Sequence, residues 1–246
     1  MLRALYAEMA KLKGSRMPLW TGLIMLLLPL IVVGVSSPSP QTPPVAWADF
    51  MGAGTEMLAT LGIVVFGMVT AFLFGREYVE GTAPAMLTLP MRREYGVFAK
   101  GFVLLAWVTG LTLLSVAASA GYAALLGLQG FTWAAFGTSL WESVQVAVLL
   151  FGTLPIIALL AVVGRSYIAP MAFSGMTAWV GLGLAEAGWS RWFPWSMPMG
   201  ITGIILGPPI VTRGLVAGSW AIMAALFVSG VLALILYVDT ADIAEG

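Results

Sequence analysis

The sequence predicts an all-α membrane protein with six transmembrane helices, an amphipathic interfacial helix at the N-terminus and a short cytoplasmic helix between spans 2 and 3. Two observations carry the prediction. Of 246 residues, 60% are hydrophobic and only 9% are charged, and the mean hydropathy is +0.99. A soluble domain of this size needs a polar skin that this composition cannot supply, so Leu, Ile, Val, Met and Ala must face lipid as well as one another. Six stretches also approach the roughly 20 apolar residues that a spanning helix requires.

Composition removes several function classes. The net charge is zero, so no electrostatic footprint for nucleic acid exists. There is no cysteine and no histidine. Disulfides, thiol chemistry, zinc sites built on His or Cys and His-based acid–base catalysis are therefore excluded.

The first sixteen residues, MLRALYAEMAKLKGSR, lack the short apolar core and small-residue cleavage site of a signal peptide. Leu2, Leu5, Tyr6, Met9 and Leu12 recur at helical spacing, with Arg3, Glu8 and Lys11 on the other side. Residues 1–16 therefore read as an amphipathic helix on the inner membrane surface. Two roles are open to it, a topogenic anchor and a lever that touches a cytoplasmic partner.

The six spans are expected at 17–35, 57–75, 101–126, 141–163, 168–185 and 216–238. The fifth is the loosest, because it contains Gly175, Gly181 and Gly183. With the N-terminus in the cytoplasm, nine of the eleven basic residues lie inside, and only Arg191 and Arg213 fall outside. That bias sets the orientation. It places both termini, including the tail 239–246, in the cytoplasm of a multi-pass cell-membrane protein.

Residues 17–238 form one membrane domain, with two loops that are more than connectors. The external segment 189–215 holds the apolar piece GITGIILG, too short to span and suited to a re-entrant or interfacial position. The cytoplasmic segment 76–100 carries seven of the 22 charged residues: Arg76, Glu77, Glu80, Arg92, Arg93, Glu94 and Lys100. Gly81-Thr82 can open a short helix with Thr82 as N-cap and Pro84 in the first turn, and Pro90 would end it. Met86, Leu87 and Leu89 would then form a plug for a groove on another protein. Positive-inside charge with a capped turn explains the same residues, and physical chemistry alone leaves both readings open.

The outer side is rich in tryptophan. Trp47, Trp133, Trp141, Trp189, Trp192, Trp195 and Trp220 map to the external interface, where an aromatic belt is ordinary. Trp189, Trp192 and Trp195, close to Arg191, offer together with Glu142 an external contact for a substrate. Glu142, with Gln145, and Glu186 lie near the outer ends of spans 4 and 5. A carboxylate deep in lipid costs ~2.5–3.5 kcal/mol and marks function, but these positions are shallow enough to reach water.

The pattern Glu77-x-x-Glu80-Gly81-Thr82, then Leu87-x-Leu89-Pro90-x-Arg92, then Lys100 resembles the signature of type-2 ABC exporter permeases. Chain length, six spans, the N-terminal helix and the long last external loop resemble that family too. Its smaller members include bacitracin-resistance and lantibiotic-immunity permeases. The resemblance implies that the cytoplasmic loop 76–100 carries a coupling helix, residues 76–92, docking on a separate ABC ATPase, with Arg76, Glu77, Glu80, Gly81, Thr82, Leu87, Leu89, Pro90, Arg92 and Lys100 as the coupling residues. It implies export of a hydrophobic or amphipathic substrate such as a peptide antibiotic. It also implies pairing with a second permease copy or sister permease in membrane lipid. No Gly-Lys pair occurs, so Walker A is absent. ATP and Mg then belong to the partner subunit, and this chain holds no cofactor and no catalytic residue.

Other readings stay on the table. Export of sodium, lipids or other drugs fits the same architecture, as does a channel, scaffold or sensor without an ATPase. An intramembrane protease is disfavoured, because Asp49, Asp239 and Asp242 are the only aspartates and none sits mid-span. The middle of the expected spans holds essentially no ionisable residue, which argues against proton coupling.

Overall fold

The computed structural model describes residues 2–12, 14–35, 46–82, 93–202 and 214–240, and all regular structure among them is helical. In chain order the helices are α1 (Leu2–Leu12), α2 (Met17–Val35), α3 (Trp47–Val79), α4 (Arg93–Leu125), α5 (Trp133–Val163), α6 (Ile168–Glu186), α7 (Met197–Thr202) and α8 (Ala217–Thr240). The first external loop, the tail and most of the re-entrant-like piece, expected above, lie outside the described residues.

Five helices, α3, α4, α5, α6 and α8, are long and apolar enough to cross a membrane. A sixth crossing results if α1 and α2, which meet at a 72° bend, count as one broken span. The chain is thus a multi-pass, all-helical membrane protein. The second and third spans are longer than expected, because each helix continues past the apolar window into polar residues. Helix α3 alone has 33 residues. At a rise of about 1.5 Å per residue it extends roughly 50 Å, well beyond a hydrocarbon core of about 30 Å.

Helix α3 is the central post, packed against α2, α4, α5, α6 and α7. Its Phe66, Val69 and Leu73 meet Leu150, Leu154 and Ile157 of α5 in one core. Nearer its start, Trp47, Phe50 and Met51 form a second core with Leu28 and Val32 of α2 and Val116 of α4. Hydrocarbon solvates leucine as well as leucine does, so close packing and interhelical hydrogen bonds must hold the bundle. Thr55 and Ser143 share a hydrogen bond of 3.0 Å between α3 and α5. Trp107 donates from Nε1 to Thr21 Oγ1 at 3.3 Å, joining α4 to α2. Other hydroxyls donate back along their own helix, as Thr70 does to the Phe66 carbonyl at 2.7 Å, which satisfies them without a partner on another helix.

Lipid-facing side chains mark the periphery. Leu23, Ile24, Leu27 and Ile31 of α2 and Val228, Leu232 and Leu236 of α8 are exposed. Helix α8 is the most peripheral span, leaning chiefly on α5.

The structure differs from the sequence reading at Glu56. The expected span began at Met57, which left this carboxylate outside. Helix α3 in fact starts at Trp47, and Glu56 lies within it, 2% exposed and engaged by a neighbouring group. A buried ionisable residue therefore does occur within a spanning helix.

Candidate functional site

The densest polar feature lies at the end of the bundle where α3 ends and α4 begins. Helix α1 packs there through Leu5 and Leu12, while Tyr6 and Met9 are exposed. Sequence periodicity put Glu8 and Lys11 on the solvent side. The structure turns that face inward, and Glu8 is only 3% exposed. The physical reason is a partner distant in sequence, the paired charges on α3 and α4.

Four side chains alternate in sign. Lys11 Nζ donates to Glu8 Oε1 at 2.6 Å and to Glu77 Oε1 at 2.8 Å. Lys100 Nζ reaches the other Glu77 oxygen at 2.9 Å and donates to the Leu73 carbonyl at 2.7 Å. Lys100 also lies 5.7 Å from the centre of the Phe74 ring. Glu77 thus holds one lysine on each oxygen. An unpaired charge at this depth would carry a desolvation cost of several kcal/mol, and mutual pairing offsets it.

Arg76, one residue earlier, joins the same elements from another side. Its guanidinium donates to the Lys11 carbonyl at 3.4 Å, stands 3.8 Å from Glu80 and lies 5.2 Å from the Phe72 ring centre. Phe72 in turn stacks on Tyr167, in the turn between α5 and α6, at 6.4 Å. Burial, and then the Glu80 carboxylate, push the Tyr167 phenol above its ordinary pKa, with Arg76 acting the other way.

Gly81 and Thr82 close α3. Gly81 has φ +67°, its N–H donates to the Tyr78 carbonyl at 3.3 Å, and the Thr82 N–H donates to the Glu77 carbonyl at 2.9 Å. These two bonds define a Schellman cap, which glycine favours because it has no Cβ to clash in the left-handed region. The Thr82 hydroxyl also points back, to the Glu77 carbonyl at 3.4 Å. The sequence reading had Thr82 opening the next helix; here its backbone and hydroxyl terminate the preceding one. Leu87, Leu89, Pro90 and Arg92 lie outside the described residues.

The structure therefore gathers Arg76, Glu77, Glu80 and Lys100 and adds Glu8 and Lys11, which the sequence placed on the polar side of α1 and not with the coupling residues. The i, i+3 spacing of Glu8 and Lys11 signals a helical pair, but nothing in it signals Glu77.

At the opposite end, the tryptophans separate. Trp189 and Trp192 are exposed, whereas Trp195 packs on Phe173 and Phe193 with ring centres at 5.8 and 5.4 Å. Arg191 is stitched to the start of α8: its Nε donates to the Gly214 carbonyl at 2.9 Å, and Ser219 donates to the Arg191 carbonyl at 2.7 Å. Glu142 is half-buried on α5 with an interaction of its own. Trp47 and Trp133, read from the sequence as part of an aromatic belt, join Phe131 and Phe136 in lining a cavity of about 480 Å³.

Comparison with known proteins adds to this geometry. Residues 4–181 match the sequence model of the family described as "ABC-2 family transporter protein". A "Bacitracin transport permease protein BCRB" from Bacillus licheniformis is 24% identical over 194 residues, 79% of this chain and 91% of that protein.

Proposed function

We propose that this chain, which belongs to the ABC-2 family of transporter proteins, is the membrane subunit of an ATP-driven exporter whose ATPase is a separate polypeptide. The observation that carries this reading is the alternating chain Glu8–Lys11–Glu77–Lys100. It binds α1 to both flanks of segment 83–92, so a push on that segment reaches α1, α3 and α4 together. On this reading the charged end faces the cytoplasm and α1 lies at the inner interface. Segment 76–100 seats against the ATPase, which binds ATP and Mg. A second permease copy or sister permease completes the membrane part.

For the substrate we propose an amphipathic molecule of the peptide-antibiotic type, moved outward. Support comes from the similarity to a bacitracin permease, the apolar spans and the tryptophans at the opposite end. Export of an ion or a lipid is the second reading, and Glu56, a buried carboxylate in α3, favours an ion more than the expected spans did.

The test is purification of the full chain from its host in mild detergent. An ATPase carrying a Walker A motif should co-purify in stoichiometric amount. Glu80→Lys combined with Arg92→Glu should lower its recovery several-fold, since single surface charges contribute at most ~1 kcal/mol each. Recovery of the chain alone, even after cross-linking at 76–100, defeats the proposal and favours a channel, scaffold or sensor. Outward transport of a labelled bacitracin-type peptide in vesicles tests the substrate class separately.

A further inference from the structure

At the end of the bundle away from the four charges, four aromatic rings follow one another in a closed circuit. Trp47 opens α3, Phe131 precedes α5, Trp133 opens α5 and Phe136 lies about one turn further on. Ring centres are 5.0 Å apart from Trp47 to Phe131 and 5.2 Å from Phe131 to Trp133. They are 6.2 Å apart from Trp133 to Phe136 and 6.3 Å from Phe136 back to Trp47. Three of the four neighbouring pairs stand near perpendicular, at 86°, 76° and 89°. The rings therefore do not stack as a slab but stand as walls of the cavity of about 480 Å³, which Ala120 and Ala124 of α4 also line. Trp47 is a buried back wall at 3% exposure, whereas Phe131 and Trp133 are exposed. Two local bonds fix the walls in advance. The Trp47 N–H donates to the Gln129 carbonyl at 3.0 Å, and the Ala135 N–H donates to Thr132 Oγ1 at 3.1 Å, capping α5 between the two outer rings.

Ring chemistry and charge select the ligand. The four spacings average about 5.7 Å, so the middle of the circuit lies roughly 4 Å from each ring centre, inside the ~6 Å over which a ring attracts a cation. Aromatic faces are negative, and several faces round one point add their attraction. An interfacial belt accounts for tryptophans placed singly at a membrane surface; it does not require four rings to close round a cavity. The neighbouring charge has the matching sign. Residues 17–75 and 101–164 include every helix packed at this place, and they contain three charged residues, Asp49, Glu56 and Glu142, all acidic. Arg191, a basic residue at this end, donates to the Gly214 carbonyl at the start of α8.

We propose that Trp47, Phe131, Trp133 and Phe136 form an aromatic cage that binds an alkylammonium group. The rings hold the cation by their faces, and Trp47 fixes the depth to which it enters. Two sources present that group at a membrane surface, a lipid headgroup and a free amine.

The test uses the full chain labelled with fluorotryptophan, in the uncharged detergent dodecyl maltoside. The fluorine resonances of Trp47 and Trp133 are assigned by single Trp→Phe replacements. Choline is titrated beside dimethylbutanol, the neutral isostere in which carbon replaces the ammonium nitrogen. Choline should shift both resonances and bind roughly 5–30-fold more tightly than the alcohol, the ratio that ~1–2 kcal/mol of cation–π attraction produces. Trp133→Leu should lower choline affinity several-fold, read on Trp47. Phe131→Leu, which removes the adjoining wall, should do the same, so that misfolding of one variant does not decide the matter. Equal binding of choline and its isostere overturns the proposal, as does the absence of any shift with choline. Undiminished choline binding in both variants overturns it too. Nanodiscs then separate the two sources. A cage filled by lipid headgroups stops responding to choline in phosphatidylcholine and responds again in phosphatidylglycerol, whereas a cage reserved for free amines responds in both.

Discussion

Glu77 stands between two ammonium groups, Lys11 at 2.8 Å and Lys100 at 2.9 Å. The side chains of Glu77 and Lys100 are 10% and 6% exposed, so neither charge is compensated by water. Glu77→Gln keeps the shape but leaves Lys100 buried without its counter-ion. Breaking a buried pair from one side costs ~3–5 kcal/mol, whereas replacing both partners by apolar groups is often close to neutral. Titration with SDS in mixed micelles should therefore show Glu77→Gln unfolding several kcal/mol more easily than the native chain. Glu77→Leu with Lys100→Leu should recover most of that loss, because Lys11 is partly exposed and retains Glu8. A Glu77→Gln variant as stable as the native chain would show that the ion chain does not form. The sequence marks Glu77 and Lys100 as members of one charged segment. It does not show that they meet, nor that Glu8 turns inward to join them, because periodicity tells which residues share a face and not what the face meets.

The secondary structure was more legible than those contacts, since apolar runs of about 20 residues have few alternatives in a membrane. What hydropathy misplaced was the ends. Helix α3 runs from Trp47 to Val79 rather than 57–75, because Glu56 interrupts the apolar window while the fold hides it. At its other end α3 stops on Gly81, where the backbone is left-handed at φ +67° and a Cβ would touch nothing. Substitution there acts through the backbone alone. Gly81→Ala should cost ~1–2 kcal/mol, the penalty of the left-handed region for a residue with a Cβ. Hydrogen exchange of the Thr82 amide, which donates to the Glu77 carbonyl at 2.9 Å, would then quicken roughly 5–30-fold through local fraying. Gly81→Asn, which tolerates that conformation better, should show a smaller rise. Equal exchange in all three chains would mean that the cap does not hold the end of α3.

The number of crossings decides how the charged end relates to the termini. Five helices pass as spans on their own, and α2 passes only jointly with α1, yet α2 is 19 residues without one charge. Its Leu23, Ile24, Leu27 and Ile31 are exposed on one side, while Met25, Leu28 and Val32 pack inward. We propose that this exposed apolar stripe faces lipid and that α2 crosses. Six crossings then put Gly14, before α2, on the same side as Ser166, between α5 and α6, and both opposite Gly130, between α4 and α5. The chain has no cysteine, so single cysteines at these three positions report topology without background. In intact cells a membrane-impermeant maleimide should label Gly130→Cys and spare Gly14→Cys and Ser166→Cys, which should react only after permeabilisation. Labelling of Gly14→Cys together with Gly130→Cys would mean that α2 does not cross. In that case α1 could not lie beside Glu77 and Lys100, and the four-charge chain that ties α1, α3 and α4 would fall with it.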